Sequence, residues 1–159
     1  MAREPFRDFA REMDTRSRRG GTRSGASASR APARPDLATL FAPPRELLFV
    51  GPFEQLLDAA RSAGKWVLVN IQDASSFDSA RLNRDTWKDD AVRAIVRRSF
   101  VLWQQGHDSV GGAHYSQIYH PSALPHIGVI CPRSRSQMVS HSNFVEPKAL
   151  VSSLGAFLE

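Results

Sequence analysis

The run WVLVNI, Trp66–Ile71, constrains this chain more than any other stretch. It is apolar at every position but Asn70 and rich in valine, and it is far shorter than the ~18 residues a membrane span requires. A strand that is apolar on both faces belongs at the centre of a sheet, with a layer packed on each side. The segment that follows, QDASSFDSARLNRDTW, is polar and opens like a helix N-terminus. It predicts a helix from about Ser75, capped by Ser75 or Ser76. That helix is expected to be interrupted around Thr86–Trp87 and to resume as DDAVRAIVRRS, with Asp89 as N-cap and Arg97 and Arg98 at the negative end of the helix dipole.

The rest of the chain alternates around this unit. PDLATLF predicts a helical turn, and ELLFVG a short strand closed by Gly51-Pro52. PFEQLLDAARSAG predicts a helix from Pro52 to Gly64 with Phe53, Leu56, Leu57 and Ala60 on one face. FVLWQQ, Phe100–Gln105, reads as another buried strand, and GGAHYSQIYH as a short helix entered through Gly111-Gly112. Two strands, HIGVIC and SQMVSH, flank the turn PRSRS, and Pro147 opens a last helix striped by Ala149, Leu150, Leu154 and Phe157. The order β-α-β-α-β-α-β-β-α predicts an α/β chain of thioredoxin-like fold, a central mixed β-sheet flanked by helices.

Charge divides the chain in two. Residues 1–36 carry nine Arg against five acidic residues, whereas residues 37–159 carry twelve basic against eleven acidic, so most of the net charge of +5 belongs to the first segment. From Thr15 to Pro35 that segment is Arg, Gly, Ser, Ala and Pro without apolar periodicity, and it is expected to be a disordered tail. Within it, residues 4–13 space Phe6, Phe9, Ala10 and Met13 as one face of a short helix. Residues 37–159 are expected to form the folded domain. The RRGG element at Arg18–Gly21 is a candidate nucleic-acid contact, weighed against a solvated linker because no aromatic residues interleave with it. One cysteine, Cys131, excludes an internal disulfide framework, and the N-terminus reads as no signal segment, which places the chain in the cytosol or nucleus.

KWVLVNIQD, then LNRDTW at Leu82–Trp87, AVRAIVRRSFVLWQ at Ala91–Gln104 and the strand entry LPHIGVI resemble the UAS domain, the thioredoxin-like module of UBX-domain proteins, and in particular the subgroup that combines UBA, UAS and UBX domains. The resemblance implies an adaptor of the ubiquitin pathway whose partners are proteins of the ubiquitin and AAA-ATPase degradation machinery. It also implies a second reading, a module that responds to long-chain fatty acid by self-association, with LATLFAPP and the first helix as acyl contacts. No UBX module follows the last helix and no UBA domain precedes the tail, so the chain is expected to be a piece of a longer protein or a stand-alone relative.

The same resemblance places the two cysteines of a redox thioredoxin turn at Ser76 and Ser79, counted back from Trp87, and a cis-proline beside them at Pro125. Thiol–disulfide exchange needs a thiolate and a leaving sulfur, neither of which serine supplies at neutral pH, so no catalytic residue and no enzyme activity is expected. No Gly-x-Ser-x-Gly elbow marks either serine as a hydrolytic nucleophile. Pro125 is inherited architecture or one wall of a peptide groove. Arg93, Arg97 and Arg98 make a candidate partner-binding basic face, weighed against a solvated helix end. The five histidines lack ligand spacing and no second cysteine joins them, so neither metal nor cofactor is expected. Cys131 reads as a buried apolar filler, the three tryptophans as core, and Gly51, Gly111 and Gly112 as turn residues.

Overall fold

The structure, a computed structural model, describes residues 37–159; the tail expectation, the helix at 4–13 and the RRGG element lie outside the described residues. A short helical turn, α1 (Leu37–Leu40), precedes α2 (Phe53–Ala63), β1 (Trp66–Gln72) and α3 (Phe77–Arg81). A π-helical turn (Leu82–Thr86) continues α3 and leads to α4 (Asp90–Ser99), β2 (Phe100–Gly106) and α5 (Val110–Tyr119). The chain closes with β3 (His126–Ile130), β4 (Gln137–Ser142) and α6 (Pro147–Leu158).

The strand order is β2-β1-β3-β4, with β1 parallel to β2 and antiparallel to β3. WVLVNI is central, as its composition demands, and Val67 through Ile71 are all buried. Alternation splits its side chains between two cores. Leu68 packs with Trp87, Val92, Val96, Leu150 and Leu154 beneath α4 and α6. Val67, Val69 and Ile71 pack with Phe53, Leu56, Leu57 and Tyr115 beneath α2 and α5.

Local chemistry sets the helix ends. Pro52 stands in extended conformation before α2, and Gly64 ends it at φ 66°, donating its N–H to the carbonyls of Ala60 and Arg61. The Asp89 carboxylate accepts the Val92 N–H at 3.1 Å, and the Ser109 hydroxyl accepts the Gly112 N–H at 3.0 Å, which starts α4 and α5. The predicted break in the second helix is the π turn, closed by the Trp87 N–H on the Leu82 carbonyl at 2.8 Å. Its wider, i→i+5 bonded girth leaves Leu82, Asn83 and Thr86 buried together.

Three expectations need correction. ELLFVG is no strand: it touches the sheet through one parallel bridge, Leu48 to Leu102, with the Phe49 N–H on the Leu102 carbonyl at 2.8 Å. Tight turns onto the Pro43 and Pro44 carbonyls bind the chain just before it, and Gly51-Pro52 ends it, so too few residues remain to run a ladder. Gly111 and Gly112 lie inside α5. A Cβ at Gly112 would stand 1.9 Å from the Gly106 carbonyl oxygen, so that glycine exists for close backbone approach. Cys131 is half-buried rather than a buried filler; hydrogen bonds from the Ser134 hydroxyl and amide hold its thiol below the usual range.

Candidate functional site

β1 delivers the chain to the turn that the family resemblance assigns to redox chemistry. After Gln72, Asp73 folds back: its carboxylate accepts the Ser75 hydroxyl at 2.6 Å and the Ser75 amide at 2.9 Å. Those two bonds, with His107 adding, hold Asp73 below the usual carboxylate range. Ser76 occupies the N-cap position of α3 but makes no side-chain capping bond, nor does Ser75, whose hydroxyl is committed to Asp73. The capping expectation therefore fails for both serines: Ser76 stands at the N-cap without a side-chain bond, and the Ser75 hydroxyl donates to Asp73 instead. One turn on, Ser79 is buried and its hydroxyl accepts the Asp73 N–H at 3.1 Å.

The Leu124–Pro125 peptide is cis, and β3 begins at the next residue. Because His126 pairs with Ile71, Pro125 lies at the same end of the sheet as the Ser76–Ser79 turn. Phe77, between the two serines, is 65% exposed, so the turn presents an apolar ring to solvent. The turn that the resemblance assigns to exchange chemistry holds the Ser76 and Ser79 hydroxyls rather than sulfur, and Cys131, the chain's one cysteine, follows the far end of β3.

Beneath the turn lies an amide network that reading the sequence missed. Asn70, fully buried in β1, accepts through Oδ1 from Trp87 Nε1 at 3.1 Å, Gln104 Nε2 at 2.9 Å and Gln72 Nε2 at 2.8 Å. Its Nδ2 donates to the His126 carbonyl at 3.0 Å. Asn83 accepts from the same Gln72 and Gln104 amides and donates to the Phe41 carbonyl, which straps the segment after α1 to the π turn. Every member is an amide or indole, so nothing in this network exchanges a proton at physiological pH. The one signal in the sequence was the lone amide inside WVLVNI.

A second buried cluster sits behind β3. His126 Nε2 lies 2.8 Å from the Tyr115 hydroxyl, and Gln137 reaches both. Burial pushes the His126 pKa down to about 4 and the Tyr115 phenol up.

The predicted basic face is divided. Arg93 forms an ion pair with Glu46, while Arg97 and Arg98 are exposed in the last turn of α4. Trp66 pairs with Phe100, so these arginines sit at the end of the sheet opposite the serine turn. Among the described residues no group of three His, Cys, Asp or Glu is placed to hold a metal, and no helix is long and apolar enough to cross a membrane.

The fold defines a thioredoxin-like domain, which in this sequence has one cysteine and no pair, and comparison with known proteins agrees on the fold. A family model described as thioredoxin-like matches residues 50–132. The chain is 36% identical over 126 residues to plant UBX domain-containing protein 7 of Arabidopsis thaliana, a match covering 79% of this chain and 27% of that protein. It is 32% identical over 155 residues to the UBX domain-containing protein 7 homolog of Dictyostelium discoideum, covering 98% of this chain and 29% of the other. Among solved structures, a thioredoxin from Thermus thermophilus superposes with a TM-score of 0.62 at 16% identity, covering 70% of this chain and 88% of the thioredoxin, which shows the shared fold. The chain belongs to the thioredoxin-like family, as a UAS-type domain related to UBX domain-containing proteins. It spans less than a third of the length of those relatives.

Proposed function

We propose that this chain is a non-catalytic, redox-silent thioredoxin-like adaptor of the ubiquitin pathway, acting in the cytosol or nucleus beside the AAA ATPase that extracts ubiquitinated proteins. The observation that carries the reading is the pair Ser76 and Ser79 at the β1–α3 turn, in a chain with one distant cysteine and relatives named for a UBX domain. The fold supports it by keeping a rigid amide scaffold under that turn and an exposed Phe77 upon it.

Two measurements test the reading. The purified chain should not accelerate reduction of insulin disulfides by dithiothreitol; turnover above the reagent background overturns the non-catalytic half. Immobilised full-length chain should recover the AAA ATPase and ubiquitin conjugates at moderate salt. Recovery that depends wholly on residues 1–36 and vanishes with salt would move the function to the Arg-rich tail and to nucleic acid.

One observation favours the second reading, a fatty-acid-responsive module. A groove of about 530 Å³ between α4 and α6 is lined by Ala91, Ala94, Ile95, Gly155 and Leu158, with Arg98 also on its wall. An acyl chain would lie on the apolar wall with its carboxylate toward Arg98. Oleate should then raise the oligomeric state in sedimentation, and Arg98→Glu should abolish that response.

A further inference from the structure

The end of the sheet opposite the serine turn carries an excess of positive charge. Lys65 precedes β1, Arg97 ends α4 just before β2, and Arg133 follows β3, so pairing of Trp66 with Phe100 and of Val67 with Ile130 gathers all three at one end. Two adjoining grooves open there. One, of about 280 Å³, runs between Leu47, Leu48 and Val96 with Lys65 and Arg97 on its wall, together with Glu46, whose carboxylate is taken by Arg93. The other, of about 330 Å³, is lined by Ala60, Trp66 and Pro132 with Lys65, Arg61 and Arg133. Lys65 belongs to both.

These cations exceed what the fold consumes. Arg61 is paired with Asp58, and Arg93 with Glu46, whereas Lys65, Arg97 and Arg133 have no carboxylate partner among the described residues. Helices α2, α4 and α6 all end here, the last through Phe157 packed on Trp66, and each presents about half a negative charge. Lys65 Nζ donates to the Arg97 carbonyl at 2.7 Å, so it already serves one of those ends. Four full positive charges, Arg98 being the fourth, against Glu159 and about one and a half negative charges of helix dipole leave a surplus of about +1.5, while the described domain as a whole is close to neutral.

We propose that this end is a docking site for an extended acidic peptide segment of a protein partner, whose carboxylates meet Lys65, Arg97 and Arg133 while an apolar side chain enters the groove beside Leu48 and Val96. The inference rests on the adaptor reading only in taking the ligand to be protein. Three features select a peptide. The grooves are the size of single side chains and mix apolar walls with cations, as a peptide alternating acidic and apolar residues requires. The first groove is floored by Phe100 and Val101 at the outer edge of β2 and walled by the 46–51 segment, which ladders only at Leu48, so a side chain of an extended peptide can enter between the two. Of the exposed large apolar side chains, Phe77 and Val110 belong to other elements and Val50 lies where the 46–51 segment runs parallel to β2 toward the opposite end, which leaves Leu158 without the further insertion residues a membrane surface would use.

The test is a backbone-amide NMR titration of the full chain with a short synthetic peptide of alternating Asp and Leu, with its Asn counterpart as control. Shifts are expected around Lys65, Arg97, Phe100 and Arg133 with the Asp peptide alone. Lys65→Gln, Arg97→Gln and Arg133→Gln together should weaken binding about tenfold, as three rim charge pairs imply, whereas Lys148→Gln on the exposed start of α6 should not. An unchanged melting temperature of the triple variant shows that it is folded. Shifts confined to residues 1–36, undiminished affinity in the triple variant, or tighter binding of these residues to phosphatidylserine vesicles or a single-stranded oligonucleotide than to the peptide would each overturn the proposal. Failure of the ATPase pull-down leaves this titration untouched, so the two readings fall separately.

Discussion

Acid should destabilise this domain largely through one imidazole. His126 is fully buried on β3, its Nε2 against the Tyr115 hydroxyl and its Nδ1 without a hydrogen-bond partner among the described residues. Burial, with His141 adding, lowers its pKa from 6.5 to about 4. The unfolded chain therefore binds a proton there in a range where the folded chain does not. Stability is complete above the unfolded value and falls as the pH drops toward the folded one. At about 1.36 kcal/mol per unit the whole shift is worth about 3 kcal/mol, of which about 2 kcal/mol is lost by about pH 5. His141, half-buried and also lowered, pushes in the same direction, while Asp73 and Asp85, held low by hydrogen bonds, lose their contribution only as the pH falls through and below the ordinary carboxylate range. Urea unfolding followed by tryptophan fluorescence at about pH 7 and pH 5 measures the loss, and His126→Gln, which keeps a polar group near Tyr115 without titrating, should show a much shallower dependence. Equal slopes in the two proteins, or an NMR titration of His126 with its midpoint at the ordinary value, would refute the reasoning.

Other substitutions probe the scaffold. Asn70→Leu removes the acceptor of the Trp87 indole, while Gln72 and Gln104 retain Asn83, so a loss of about 2–3 kcal/mol is expected in denaturant unfolding. Gly112→Ala drives a methyl group into the Gly106 carbonyl and should cost about 2 kcal/mol or more, read as a lowered thermal midpoint. Asp89→Ala deletes the cap on α4 and should cost about 1 kcal/mol, with Asp89→Ser restoring most of it.

Much of the architecture was determined by local sequence. The unbroken apolar run at Trp66–Ile71 forced a central strand, since side chains on both of its faces need cover, and Pro52, Gly64 and Asp89 marked helix ends through their own backbone and capping chemistry. The absence of a cysteine pair, and with it of thiol chemistry at Ser76 and Ser79, required only the sequence and the family resemblance. Tertiary structure decided the rest. ELLFVG has strand composition, yet prolines on both sides leave it one bridge, because ladder formation depends on how many neighbouring residues stay free to pair. The Ser75 hydroxyl donates to Asp73 rather than capping the helix, an arrangement set by the fold-back of Asp73 that no sequence pattern resolves. Asn70, Gln72, Asn83 and Gln104 lie up to 34 positions apart and become one network only when β1, β2 and the π turn converge. Lys65, Arg97 and Arg133 likewise become a single charged end because parallel and antiparallel pairing bring three separate chain segments to one edge, whereas Arg93, which reads as part of that face, is drawn off by Glu46.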